Sequence, residues 1–121
     1  MNENRHICRG KRDPDGRWFE GFYLCLQGID NPLHIIVDRT GQYIRIKPET
    51  LGECTGCLDK LGRLIFEGDI VKNTEIGIVR YVAEEAAFLI FSTENDNAHY
   101  MYLTDNAYEI IGCIHEEQLK M

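Results

Sequence analysis

The apolar runs of this chain are short, the longest being residues 86–91, "AAFLIF", and Gly, Asp, Asn and Pro recur between them. An amphipathic helix needs an apolar stripe sustained over ten or more residues, whereas strands need only four to eight. The pattern therefore predicts a mainly β chain of short, twisted strands with little helix. Runs this short also exclude a transmembrane helix, which needs about 20 apolar residues.

The punctuation has mechanisms. In "DPDG", residues 13–16, Pro presets φ, Asp caps the backbone and Gly supplies positive φ, which predicts a tight turn. "RWFEGFYLCLQ" after it reads as a strand, with Gly21 marking a bulge or a close backbone approach. "LHIIVD", "RTG" and "QYIRIK" read as a hairpin in which Tyr43, Arg45 and Lys47 face water and Ile44 and Ile46 face a core. Pro48 ends that strand, since it cannot donate to a ladder. "DKLG", residues 59–62, is a further turn. "EIGIVRYVA" and "AAFLIF" around Glu84-Glu85 read as a second hairpin, "STENDN" as a polar loop, and "HYMYL" and "YEIIGCI" as closing strands. The tail "HEEQLKM" suits a helical turn. Strands this short favour a small barrel over a flat sheet.

A chain of 121 residues is about one domain, and it can bury a core without staples. No apolar stretch opens it as a signal peptide would, so a cytoplasmic location is expected. Five cysteines, an odd and irregular set, then read as reduced thiols that pack as small hydrophobes, Cys25 and Cys113 among them. The net charge of −7 is uneven: residues 84–121 carry one basic and eight acidic side chains. An acidic surface repels phosphate backbones, which argues against nucleic acid as the partner. The patch Arg9, Lys11, Arg12 and Arg17 reads as a solvated turn.

The residues with chemical potential lie between 54 and 69. Cys54-x-x-Cys57 supplies two of the four ligands of a structural zinc site, with Cys113 and His115, or His6 and Cys8, as candidates to complete it. Neither a second C-x-x-C nor an H-x₃₋₅-H pair is present, and packed thiols are the simpler account. A redox C-x-x-C belongs at a helix N-terminus, which the surrounding turns and strands do not offer. Asp59, Glu67 and Asp69 would serve an acid–base pair or Mg²⁺. Gly68-Asp69 has the plainer role of a bend whose Asp accepts orphaned backbone N–H groups. No Ser-His-Asp order, phosphate loop or dinucleotide fingerprint occurs, and His6, His34, His99 and His115 form no ligand set. The sequence thus calls for no cofactor and describes a non-enzymatic protein.

The run "TGCLDKLGRLIFEGDIV", residues 55–71, resembles the signature of the YopX family, approximately T-G-L-x-D-x-x-G-x-x-I-[YF]-E-G-D-I-V. "RGK" at 9–11, Gly16-x-Trp18, Gly21 and "YEIIGCIHE" at 108–116 extend the resemblance. It implies a phage or prophage origin and a single domain over 1–121: a hairpin-rich half to about residue 53, then an SH3-like barrel from 54. It implies no reaction. On it, Thr55, Gly56, Asp59, Gly62, Glu67, Gly68 and Asp69 are the motif's turn residues. Cys54 and Cys57 stand where the family has an aromatic residue and Leu, in apolar positions.

A partner surface is sought among the aromatics Tyr81, Phe88, Phe91, Tyr100, Tyr102 and Tyr108. Tyr100 and Tyr102 share one strand face and are the expected contact for a protein partner or a second copy, since tyrosine offers apolar area with a polar tip. The alternatives are a nucleic-acid-binding barrel using Lys72 and Arg80, and a zinc-stabilised domain using Cys54 and Cys57.

Overall fold

A computed structural model describes residues 7–28, 31–93 and 100–115, with 100 and 101 described by backbone alone. The candidates His6, His99 and the Tyr100 side chain, the 94–99 loop and the tail from 116 lie outside the described residues. The chain divides into two compact units, Met1–Cys54 and Thr55–Met121.

The first unit is an antiparallel sheet of β1 (Cys8–Lys11), β2 (Trp18–Leu26), β3 (Leu33–Val37) and β4 (Tyr43–Arg45), ordered β4-β3-β2-β1. The start of β5 (Gly52–Leu58) adds to β1 through Cys8↔Glu53 and Arg9↔Gly52. Side chains alternate across a strand, so one face is buried: Cys8, Ile36, Ile44 and Ile46 form the core, with Phe19, Tyr23 and Leu51 packed against it. The β3–β4 turn is tied by Asp38, whose Oδ1 accepts from the N–H groups of Thr40 and Gln42, both at 3.0 Å. Gly21 marks a close approach: a Cβ there would overlap the carbonyl oxygen of Val37 on β3. After β4, Pro48–Thr50 forms one 3₁₀ turn.

In the second unit the end of β5 turns into β6 (Leu64–Phe66). A five-stranded antiparallel sheet follows: β7 (Asp69–Lys72), β8 (Ile76–Val82), β9 (Ala87–Ser92), β10 (Tyr100–Tyr102) and β11 (Glu109–Cys113), ordered β10-β9-β8-β7-β11. β8 and β9 make the hairpin read from the sequence, turned by a 3₁₀ turn at Ala83–Glu85 and by Ala86 at φ 51°. Ile65, Val71, Val79, Ile90 and Tyr108 are its core, each large side chain worth about 1.5–3 kcal/mol when fully buried.

The mainly β reading holds, and the second unit forms no closed barrel among the described residues. Among the described residues no ladder joins β10 to β11, so this sheet is open, with a three-residue strand at one edge. Strand length and turn chemistry carry information about local pairing and none about whether the two ends of a sheet meet.

Candidate functional site

The motif residues build two consecutive turns. In β5, Thr55 is buried; its Oγ1 donates to the carbonyl of Ile65 at 2.8 Å and accepts from the N–H of Cys57 at 3.1 Å. Gly56 between them sits at φ 86°, a conformation that side chains with a Cβ rarely adopt.

Asp59 begins the turn from β5 to β6 and has no solvent exposure. Its Oδ1 accepts from the N–H groups of Leu61 at 2.9 Å and Arg63 at 2.8 Å. Its Oδ2 accepts from Arg63 Nε at 2.9 Å and from the N–H of Ile110 on β11 at 3.2 Å. The Arg63 guanidinium closes the ion pair at 2.7 Å and donates onward to the Ile110 carbonyl at 3.0 Å. Burial pushes the Asp59 carboxyl up, but the Arg63 side chain and the N–H groups of Arg63, Ile110 and Leu61 outweigh it and hold it at about 2. Gly62 closes the turn at φ 81°.

The following segment reinforces this clamp. Asp105 Oδ1 accepts from the N–H of Leu58 at 2.8 Å, Asn106 N–H donates to the Leu58 carbonyl at 2.9 Å, and Lys60 N–H donates to the Tyr108 carbonyl at 2.7 Å. The turn is thereby tied to residues about 50 positions away.

The second turn, from β6 to β7, holds Glu67, half-buried, and Gly68 at φ 94°. Asp69, 1% exposed, accepts the N–H of Phe66 at 2.8 Å. Gly68 N–H donates to the Val79 carbonyl, and its own carbonyl accepts from Ile114. Asp59 and Asp69 thus fasten different turns. An acid or base must reach a substrate's proton, and both carboxylates are enclosed.

The cysteines are dispersed. Cys54 is buried, Cys57 packs against the second unit's core, and Cys113 is buried at the end of β11. Among the described residues no group of three or more His, Cys, Asp or Glu side chains is placed to hold a metal ion. Cys25, read as buried, is exposed: β2 extends past the core that covers Tyr23. The basic patch is engaged locally, with Arg9 4.7 Å and Lys11 5.4 Å from the Trp18 ring, Arg12 over Phe19, and Arg12 paired with Asp15.

Tyr102 is 59% exposed on edge strand β10, and its hydroxyl donates to Glu85 Oε1 at 3.2 Å. A larger apolar surface lies in the first unit, where the sequence reading did not place one. Opposite the core face of β2-β3-β4, register sets Phe22, Val37 and Tyr43 in one row, Leu24, Ile35 and Arg45 in the next, and Leu26 and Leu33 in a third. Phe22 is 61% and Tyr43 66% exposed, and Leu24, Leu26 and Leu33 are exposed too. The signal was present in "WFEGFYLCL" and "LHIIV", which are apolar at both parities although only one face of the sheet has a core.

A family model described as YopX protein matches residues 9–120, nearly the whole chain. No curated protein matches it.

Proposed function

The chain therefore belongs to the YopX family, and from that premise we propose that it is a non-enzymatic accessory protein of a phage or mobile element, acting in the host cytoplasm by binding another protein or by self-association. The observation that carries the reading is the outer face of β2-β3-β4, where Phe22, Leu24, Leu26, Leu33 and Tyr43 stand exposed in adjoining rows. These fractions leave on the order of 400 Å² of apolar surface, the size of the largest patch on a typical monomer, which is often functional. The enclosure of Asp59 and Asp69 in backbone hydrogen bonds supports it as well, because the motif's carboxylates then act on the fold.

Native mass spectrometry of the untagged protein, purified from producing cells, tests this reading. Masses at multiples of the chain, or at the chain plus another polypeptide, are expected. A chain found only at its own mass at concentrations up to about 100 μM would refute it, since biological interfaces of standard size hold well below that.

A further inference from the structure

We propose that the outer face of β2-β3-β4 is a two-fold interface, and that its occupant is a second copy of this chain. The inference rests on the protein-contact reading above and deepens it by naming the partner. One side of a standard interface covers about 800 Å², a little over half of it apolar, or about 450 Å². The exposed rows of Phe22, Leu24, Leu26, Leu33 and Tyr43 supply an apolar area of that order on one flat face.

Charge gives the arrangement. Glu20 and Arg45 are both exposed and flank the apolar rows on opposite sides; Arg9 stands across from Glu20 on β1, with its guanidinium over the Trp18 ring. Glu20 lies on β2 one same-face step before Phe22, while Arg45 lies on β4 in the row of Leu24 and Ile35. Strands about 4.8 Å apart and same-face residues about 6.8 Å apart put them about 17 Å from each other. Val37, on the strand between and in the row between, marks the midpoint. A two-fold axis in the plane of the face, passing over Val37 and perpendicular to the Glu20–Arg45 line, sets each Glu20 opposite the other copy's Arg45. An isologous contact makes every such pairing twice.

The same rotation brings the second copy's Tyr43, the most exposed aromatic of the patch, over the region between Val37 and Arg39. There the surface holds a depression of about 330 Å³ lined by Glu20, Phe22, Val37, Asp38 and Arg39. A knob, a hole and an opposite-charge pair are thus all related by one axis, which is what favours a second copy over an unrelated partner.

Sedimentation equilibrium of the full chain and of Tyr43→Glu, Glu20→Arg, Arg45→Glu and the Glu20→Arg/Arg45→Glu double variant tests the proposal. The wild type is expected to be a dimer. Tyr43→Glu should raise its dissociation constant at least about 30-fold, and each single charge reversal about 5-fold or more. The double variant should return to within about 3-fold of wild type, because it exchanges the signs and keeps the pairing. All substituted positions are exposed, and circular dichroism verifies that each variant is folded. A dimer indifferent to Tyr43→Glu, or a double variant no better than the singles, overturns this interface and leaves self-association through another surface standing. A monomeric wild type overturns the second copy as occupant, and a heteromeric mass in the native spectrum then preserves the broader reading.

Discussion

Replacing Asp59 tests the idea that the motif acts through one buried carboxylate. Asp59→Ala removes the acceptor for three backbone N–H groups and the Arg63 guanidinium at once. The Arg63 guanidinium left behind is half exposed and turns to water, so the cost falls mainly on the N–H groups. Orphaned N–H groups cost about 1–3 kcal/mol each where no water reaches them. Against a domain stability of about 5–15 kcal/mol, about 4 kcal/mol is expected to leave the second unit marginal. Asp59→Asn keeps the shape but sets an amide donor against donors or forfeits the charge, and about 2–3 kcal/mol is expected. Hydrogen exchange at the Leu61, Arg63 and Ile110 amides reads the loss locally, and urea unfolding reads it globally.

The pH dependence isolates the charge. A carboxyl held at about 2 when folded, against an ordinary 3.8, stabilises the folded state above pH 4. That contribution, about 2 kcal/mol by linkage, is lost as pH falls from about 4 to about 2. Wild type should lose it across that window, and Asp59→Asn should lack this component. Identical acid slopes in the two proteins, or an Asp59→Ala variant within about 0.5 kcal/mol of wild type, would refute the account of the clamp.

Other expectations follow from individual positions. Arg63→Met should cost less than Asp59→Ala, about 1–2 kcal/mol, because the guanidinium is half exposed and Asp59 keeps three N–H donors; urea titration decides, and a cost equal to that of Asp59→Ala would mean that the ion pair outweighs the backbone bonds. Gly21→Ala should destabilise the first unit by about 2–3 kcal/mol, since its Cβ meets the Val37 carbonyl. Gly16→Ala, at φ 75° with open space around it, should cost only about 1 kcal/mol, and Trp18 fluorescence in urea compares the two. Brief iodoacetamide treatment of the native protein should add one adduct at Cys25 before Cys8, Cys54 or Cys113 react, as intact mass and peptide mapping will show. Equal labelling of all five would contradict the burial of those three thiols.

What the sequence could reveal divides along the range of the interactions. The hairpin of β3 and β4 was legible because its causes are local: Asp38 and Gly41 make the turn, and Tyr43, Ile44 and Arg45 alternate within it. Gly21 was legible as a close approach for the same reason, though not the strand it approaches. Asp59 was visible only as a motif carboxylate, because three of its four hydrogen bonds come from backbone N–H groups, one of them on β11 about 50 residues on, and backbone donors leave no mark on side-chain identity. Cys25 was misplaced because alternation predicts which face a residue occupies and says nothing about where the core under that face ends. The same limit bears on the exposed apolar rows. The sequence reading pointed to Tyr100 and Tyr102 in the second half, whereas these rows are written in β2 and β3 as apolar residues at both parities. Two-sided apolarity in a strand means either a second core layer or a surface awaiting one. In the first unit the core cluster lies on one face only, and the other face buries Ile35 but still exposes Phe22 and Tyr43. The proposed second copy would supply the missing layer without having to order the strands that carry both aromatics, since the core beneath already does so, and its cost would be association entropy, side-chain ordering and desolvation.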